Sequence, residues 1–415
     1  MLSTIIRKEI LENITSYKFT IIITLAVVLI LTSTFIMLRD FQLRMDNYEI
    51  LRPAENEPVA LIPPAPLSIF AKGLDENIGR SYEVEFGGQI VVGSKQQSVN
   101  TLFRLFTTPD LLYVVKVIMS LCALLFAFDR IAGEKRQGTL RLSLANAVSR
   151  PILVLGKWIG GYISLIIPFL LAMLIAALII TLSPSMDLSS GDWTRLALFF
   201  TASMIYMAVF FSLGLSISAA THRTSSALVL SLFFWTVLIF VIPNMGNILA
   251  RQLVDIPSVQ RLELQREHIW IKEVFERINQ GKDGGEVLSN INRENDLLMQ
   301  DYRRRFEQLV RISKNITRIS PAAAFTFFAT DIAGTGLNEE MKAKHDVLNY
   351  KNMIWNRESD SDGNLTGTFP FFSYQRISIA DLLSGDTTVN LILLIIYNVI
   401  FFTVSYVGFL RYDIR

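Results

Sequence analysis

The chain of 415 residues is 51% hydrophobic and only 18% charged, with a positive mean hydropathy of +0.40, which argues against a purely soluble protein of this length. Its formal charge of +2 leaves no basic surplus for nucleic acid, so positive charge can matter only through its placement. The single cysteine, Cys122, lies inside an apolar run, which excludes an intramolecular disulfide framework.

Residues 2–17 place Leu2, Ile6, Ile10, Ile14 and Tyr17 on one helical face, with Arg7, Lys8 and Glu12 elsewhere. That pattern suits an amphipathic helix on the inner membrane surface, or a plain lead-in to a first span. Arg7, Lys8 and Lys18 precede the apolar run 19–38, as in a secretory signal. The run is too long for a signal core, and no small-residue cleavage site follows before Arg39 and Asp40, so it reads as a retained span.

A helix crossing roughly 30 Å of hydrocarbon needs about 20 apolar residues. Six segments qualify: 19–38, 111–128, 158–182, 196–220, 227–249 and 389–410. Lys116 in the second costs about 3 kcal/mol on insertion scales, which its many Leu, Ile, Phe and Val neighbours outweigh. In the fifth, Pro243, Asn244 and Gly246 predict a kink or unwinding near one end.

Orientation follows from the short loops. Between the second and third spans stand Arg130, Lys135, Arg136, Arg141, Arg150 and Lys157 against Asp129 and Glu134. The N-terminal flank, Arg223, Arg411 and Arg415 fall on the same side, whereas the loop between the third and fourth spans has Asp187 and Asp192 against Arg195. Both termini are therefore expected in the cytoplasm, leaving segments 39–110 and 250–388 outside.

In the first outer segment, alternation in residues 82–86 and 89–92 hints at short strands. In the second, Leu253, Ile256, Val259, Leu262, Ile269, Val274 and Ile278 recur at helical spacing, Gly281, Gly284 and Gly285 interrupt, and Ile291, Leu298, Tyr302, Phe306, Leu309 and Ile316 resume it. This predicts a helical hairpin. Residues 319–333 are apolar but too short to span; they either lie along the outer interface, dip into it, or form the core of the outer domain.

Few residues suggest chemistry. There is no G-x-x-x-x-G-K-[ST] phosphate loop: Gly156-Lys157 is followed by Trp158, and Gly281-Lys282 by Asp283. Residues Leu383 to Asp386 begin like a transporter-ATPase signature but lack its second glycine, and read as a turn before the last span. His222, His268 and His345 have no partner at metal-ligand spacing. Asp360, Asp362 and Asn364 open like a calcium loop, but its glycine is displaced to Gly363 and Phe371 stands where the bidentate Glu belongs. Glu339-Glu340 reads as a solvated face, and no serine elbow is present. Residues 133–151, from Gly133 through Glu134, Lys135, Arg136, Gly138, Thr139, Leu140 and Arg141 to Ser149, Arg150 and Pro151, can form a short charged helix between two spans. Such a helix could dock another protein or simply set topology.

At this loop the sequence resembles the ABC-2 type transporter permeases. Glu134, Gly138, Thr139 and Leu140, then Ser149-Arg150-Pro151 and Leu155-Gly156-Lys157, are similar to that family's segment between its second and third spans. The N-terminal helix is similar to its connecting helix. Residues Ser320 to Phe325 and Phe409 to Asp413 resemble a branch with large outer domains, which includes permeases of gliding-motility and copper-enzyme maturation systems. The resemblance implies an all-α integral membrane protein of the inner membrane with six transmembrane helices, an interfacial N-terminal helix and a largely helical extracytoplasmic domain. It implies a coupling helix in which Glu134, Arg136, Gly138, Thr139, Leu140, Arg141, Ser149 and Arg150 meet an ATPase subunit. It further implies two permease subunits, identical or related, and two separate ATPase subunits that bind ATP and Mg, with no cofactor in this chain. Export of an unidentified substrate is the expected activity. The alternatives are force transmission through the outer hairpin to an envelope partner, and a membrane-anchored scaffold.

Overall fold

The computed structural model describes residues 2–52, 59–79, 81–85, 89–93, 109–140, 149–184, 186–281, 284–358 and 369–411. They form two compact units, Met1–Ile239 with Ala324–Arg415, and Phe240–Ala323.

The first unit begins with α1 (Leu2–Ile14) and α2 (Tyr17–Leu51). The Ser16 hydroxyl caps α2 by accepting from the Phe19 amide at 3.2 Å. Next come α3 (residues 111–127), α4 (Ala132–Gln137), α5 (Arg150–Thr181), α6 (Ser190–Ala220) and α7 (Thr224–Leu253). After the segment of the second unit, α8 and α9 below, follow α10 (Pro321–Ala333), α11 (Leu337–Glu358), α12 (Ile379–Ser384) and α13 (Asp386–Leu410). Six helices among the described residues are long and apolar enough to cross a membrane. The fold is the all-helical membrane class that the composition and apolar runs indicate.

At the centre of the bundle stands α6, packed against α3, α5, α7 and α13. Its sequence is apolar all round, and Phe199, Tyr206, Met207, Phe210, Phe211 and Leu215 are accordingly buried. Several polar groups of the spans serve neighbouring helices. Ser120 accepts from the Trp235 indole at 3.0 Å, and Ser212 from the Trp158 indole at 2.8 Å. Tyr206 donates to the Lys116 carbonyl at 2.8 Å. That carbonyl belongs to a π-helical segment, Val114–Met119, where the widened turn frees backbone groups for such bonds.

The predicted break near Pro243 takes another form. A π-helical segment, Val237–Val241, precedes the proline, and the helix then continues through it as Ile242–Leu253. Widening the turn accommodates a ring that would clash in a regular helix. The residues Leu383 to Asp386 form the junction of α12 and α13, with Gly385 between them. The calcium-like string at 360–364 lies outside the described residues.

Residues of the segments 39–110 and 250–388 contribute to one layer of the first unit. Strands β1 (Val59–Leu61), β2 (Ser81–Glu85) and β3 (Gln89–Gly93) make an antiparallel sheet in that order, with Ala60 opposite Tyr82 and Glu83 opposite Val91. Ala60, Ile62, Ile78 and Tyr82 share a core with Ala343, Val347, Tyr350, Ile354 and Phe372. Arg376 fastens the join by donating to the Gly334 carbonyl at 2.9 Å and the Pro63 carbonyl at 2.6 Å. The Asp110 carboxylate caps α3 through the Tyr113 amide at 2.8 Å and takes the Lys72 amide at 2.9 Å. Burial raises its pKa above the usual carboxylate range, a rise that those two amides only partly offset.

The ambiguous apolar segment resolves as α10, which sinks into the bundle. Phe325 stacks on Tyr206 with centroids 4.4 Å apart and an interplanar angle of 12°. Tyr206 lies in the middle of α6, about 21 to 24 Å from either end at 1.5 Å per residue. Phe325, Phe328, Ala329 and Ile332 are fully buried. The Arg195 guanidinium donates to the Ile332 carbonyl at 2.9 Å, near the carboxyl end of α10, and also to the Ile377 carbonyl.

The second unit holds the end of α7, α8 (Val259–Gln280) and α9 (Gly284–Thr317). Gly281, with φ of +67°, ends α8 in the left-handed conformation glycine favours. Ala250, Val254 and Leu309 form its small core. Lys272 of α8 meets Glu294 of α9 at 3.3 Å, as expected of a hairpin.

A candidate coupling site at the end of the bundle that carries both termini

Helix α1 lies against the first turns of α5, and glycine makes the close approach possible. A Cβ at Gly160 would sit 2.7 Å from the Glu9 Cβ and 3.0 Å from the Ile6 carbonyl oxygen, and one at Gly156 would sit 2.6 Å from Ile5 Cγ2. Two small residues four apart present one groove, into which α1 settles. The packed face of α1 is rotated from the one its apolar spacing predicts: Glu9 and Asn13 are buried while Ile14 is exposed, and Tyr17 falls beyond α1, exposed at the start of α2.

That placement brings Glu9 to Lys157, a lysine at the mouth of α5 that is 3% exposed. Lys157 Nζ stands 2.8 Å from Glu9 Oε1 and 2.6 Å from Glu134 Oε1. Arg130 Nη1 lies 3.3 Å from Glu9 Oε2, and Lys8 Nζ approaches Glu134 Oε1 at 4.0 Å. Two carboxylates are thus held by three cations drawn from α1, the α3–α4 turn and α5. Burying any one of them alone would be prohibitive, so the charges are stable only as a set. The polar seam continues one turn deeper, where Asn13 donates to the Ser164 hydroxyl at 3.0 Å and Ser164 donates to the Gly160 carbonyl at 2.9 Å.

Helix α4, carrying Glu134, is seated on the end of α6. The Ser218 hydroxyl accepts from the Ile131 and Ala132 amides at 3.0 and 2.9 Å, filling two donors that the start of α4 leaves open. Lys135 places its ammonium on the Ala219 carbonyl and, at 3.2 Å, on the Thr221 carbonyl, where the dipole of α6 favours a cation. Lys18 pairs with Asp129 and lies over the Phe128 ring at 5.2 Å. The α4 element therefore cannot shift without dragging α1, α5 and α6.

Of the residues singled out in the sequence, Glu134 belongs to this cluster. Arg136, Gly138 and Thr139 are exposed beyond it, Gly138 with φ of +75° and open space around it, while Leu140 is fully buried. Ser149 is exposed at the start of α5, and Arg150 donates to the Leu410 carbonyl at 2.6 Å, tying α5 to the end of α13. Arg141 lies outside the described residues. Sequence reasoning missed Glu9 and Asn13 altogether, counted Arg130 only as a topological charge, and met Lys157 as a topological charge and within the family-like segment without giving it a partner. The available signal was a lysine between two glycines four apart at the mouth of an apolar run, with polar residues at the same spacing on an apolar helix face.

Residues 3–414 match the family described as ABC-2 family transporter protein. The chain is also similar to a probable ABC transporter permease protein NosY of Pseudomonas aeruginosa, 34% identical over 139 residues, which covers 32% of this chain and 50% of that protein. A protein with the same description from Stutzerimonas stutzeri is 32% identical over 136 residues, covering 32% of this chain and 49% of the relative. The chain thus spans about half the length of these curated relatives. With a match running almost from end to end and six helices able to cross a membrane, the chain belongs to the ABC-2 family of transporter proteins.

Proposed function

We propose that this protein is the permease subunit of an ABC transporter of the inner membrane, both termini in the cytoplasm, driven by a separately encoded ATPase that docks on α1, α4 and the loop after it. The observation that carries this reading is the buried ion cluster of Glu9, Arg130, Glu134 and Lys157, which makes α1, α4 and α5 move as one piece. Force applied at the exposed Arg136, Gly138 and Thr139 would reach the bundle through that piece and through the seat of α4 on α6. The relatives named as permeases and the missing phosphate loop support an ATPase supplied by another chain. ATP and Mg would be bound there, two permease subunits would form the path, and an unidentified substrate would be exported.

The test is purification from native membranes in mild detergent, with identification of associated proteins and an ATPase assay. A nucleotide-binding subunit should accompany the chain, and Glu134 and Arg141 substitutions should lower ATP hydrolysis stimulated by the permease. Unchanged binding and stimulation in those variants would falsify the docking role.

A second reading, in which the same movement acts on an envelope partner, is favoured by the existence of Phe240–Ala323 as a compact unit with its own core. Deleting residues 257–314 separates the two: intact transport excludes force transmission as the main role.

A further inference from the structure

Lys116 is the only charged side chain in the six apolar segments 19–38, 111–128, 158–182, 196–220, 227–249 and 389–410. A charge within a span is kept at a cost and calls for a partner. Among the described residues its ammonium has no hydrogen-bond acceptor and no carboxylate within ion-pair distance; it lies 6.0 Å from the centroid of the Tyr113 ring. Asp110, the carboxylate nearest in sequence, spends its oxygens on the Tyr113 and Lys72 amides.

The backbone beneath that free ammonium is pinned. The Lys116 carbonyl accepts from the Ser120 hydroxyl at 2.6 Å and from the Tyr206 hydroxyl at 2.8 Å, inside the π-helical segment Val114–Met119, a kind of widened turn that recurs at functional sites. Side chains of a helix lean towards its amino end, and the Tyr113 contact shows that this lysine does so. The start of α3 at Leu111 is only about 8 Å away along the axis, Tyr113 is 41% exposed and Lys116 is half-buried. The ammonium therefore stands within reach of the membrane–water interface. The wall below it is different: residues 117–128 are apolar apart from the buried Ser120 and Cys122, and the Ser120 hydroxyl already accepts from Trp235. A ligand that suits both levels has an acidic head for the lysine and a hydrocarbon body for the wall.

We propose that Lys116 is the headgroup site of an anionic amphiphile, an acidic group such as phosphate on one or two hydrocarbon chains, bound beside the first turns of α3. The site does not depend on the ATPase reading and can fail independently of it.

The test uses the full-length chain purified in dodecyl maltoside. Native mass spectrometry reads the binding of two matched pairs: dioleoyl phosphatidylglycerol against dioleoyl phosphatidylcholine, and dodecyl phosphate against dodecyl phosphocholine. The acidic member of at least one pair should occupy the first site about fivefold more tightly, the ratio that one basic residue confers towards anionic lipid. Preference in the phospholipid pair alone assigns the site to a membrane phospholipid; preference that extends to the dodecyl pair, or is confined to it, assigns it to a single-chain amphiphile. Lys116→Gln should abolish the preference with a thermal midpoint no lower than that of the wild type, since the charge it removes has no partner. Lys116→Arg should keep the preference, as should Arg251→Gln, which removes an exposed cation on α7. No preference in either pair, a preference that survives Lys116→Gln, or equal displacement by inorganic phosphate would each overturn the proposal. So would a midpoint for Lys116→Gln well below that of the wild type, which would mark the ammonium as a structural group.

Discussion

Lys157 of α5 holds Glu9 of α1 at 2.8 Å and Glu134 of α4 at 2.6 Å, although the two carboxylates are 125 residues apart in the chain. Removing the lysine leaves two buried carboxylates with reduced compensation, and breaking such a set costs about 3–5 kcal/mol. Lys157→Met should therefore lower the thermal unfolding midpoint in detergent sharply. Lys157→Met combined with Glu9→Leu, Glu134→Gln and Arg130→Met should recover much of it, since apolar replacement of a whole buried set is often tolerated. A quadruple variant as unstable as the single one would show that the cluster does not act as a unit.

Gly160 and Gly138 should respond to alanine in different ways. At Gly160 the new methyl meets the α1 backbone, so Gly160→Ala should lift α1 from α5 and speed amide exchange in residues 2–14 by an order of magnitude or more. Gly138→Ala meets nothing within 4 Å and carries only its backbone strain at φ of +75°, about 1–2 kcal/mol. It should leave α1 protected. Hydrogen exchange with mass spectrometry reads both.

Tyr206 joins two contacts that substitution can separate. Tyr206→Phe keeps the stack on Phe325 and loses the hydroxyl's bond to the Lys116 carbonyl, with its contact to Ser120. Ser120 still donates to that carbonyl at 2.6 Å, so it is not orphaned. The cost should be about 0.6 kcal/mol, the average for such bonds between membrane helices. Tyr206→Ala removes the ring as well and should cost about 3–5 kcal/mol. Equal losses in the two variants, measured by unfolding in detergent, would contradict the stacking role.

Arg195 uses two arms of its guanidinium, on the Ile332 and Ile377 carbonyls. A lysine is a single point charge and cannot reproduce that fork. Arg195→Lys should loosen residues 369–378, seen as faster limited proteolysis there, without altering protection in the middle of α6.

The spanning helices were legible because crossing hydrocarbon demands an apolar run, and such runs have no soluble counterpart of that length. Helix ends were less so: α2 continues through Arg39, Asp40, Arg44 and Asp46 to Leu51, where helix propensity and partners such as Asp75 on Arg44 sustain it after the hydropathy falls. The sinking of α10 into the bundle was not decidable, because an apolar segment of 13 residues suits a domain core equally well. The ion cluster was least visible. Glu9 and Lys157 look like ordinary solvated charges until the groove at Gly156 and Gly160 brings their helices together, and the matching four-residue spacings on the two helices do not by themselves say that these helices meet.

The cluster also sets an order of assembly. Glu9 is synthesised 148 residues before its lysine, and two hydrophobic segments, 19–38 and 111–128, lie between them. At ordinary translation rates this is a delay of roughly 7 to 30 seconds. Throughout that interval α1 has no site to bind, and its acidic side chain remains in water. Closure of the N-terminal helix thus reports that α4 and the mouth of α5 have reached their places, a built-in proofreading step for membrane insertion.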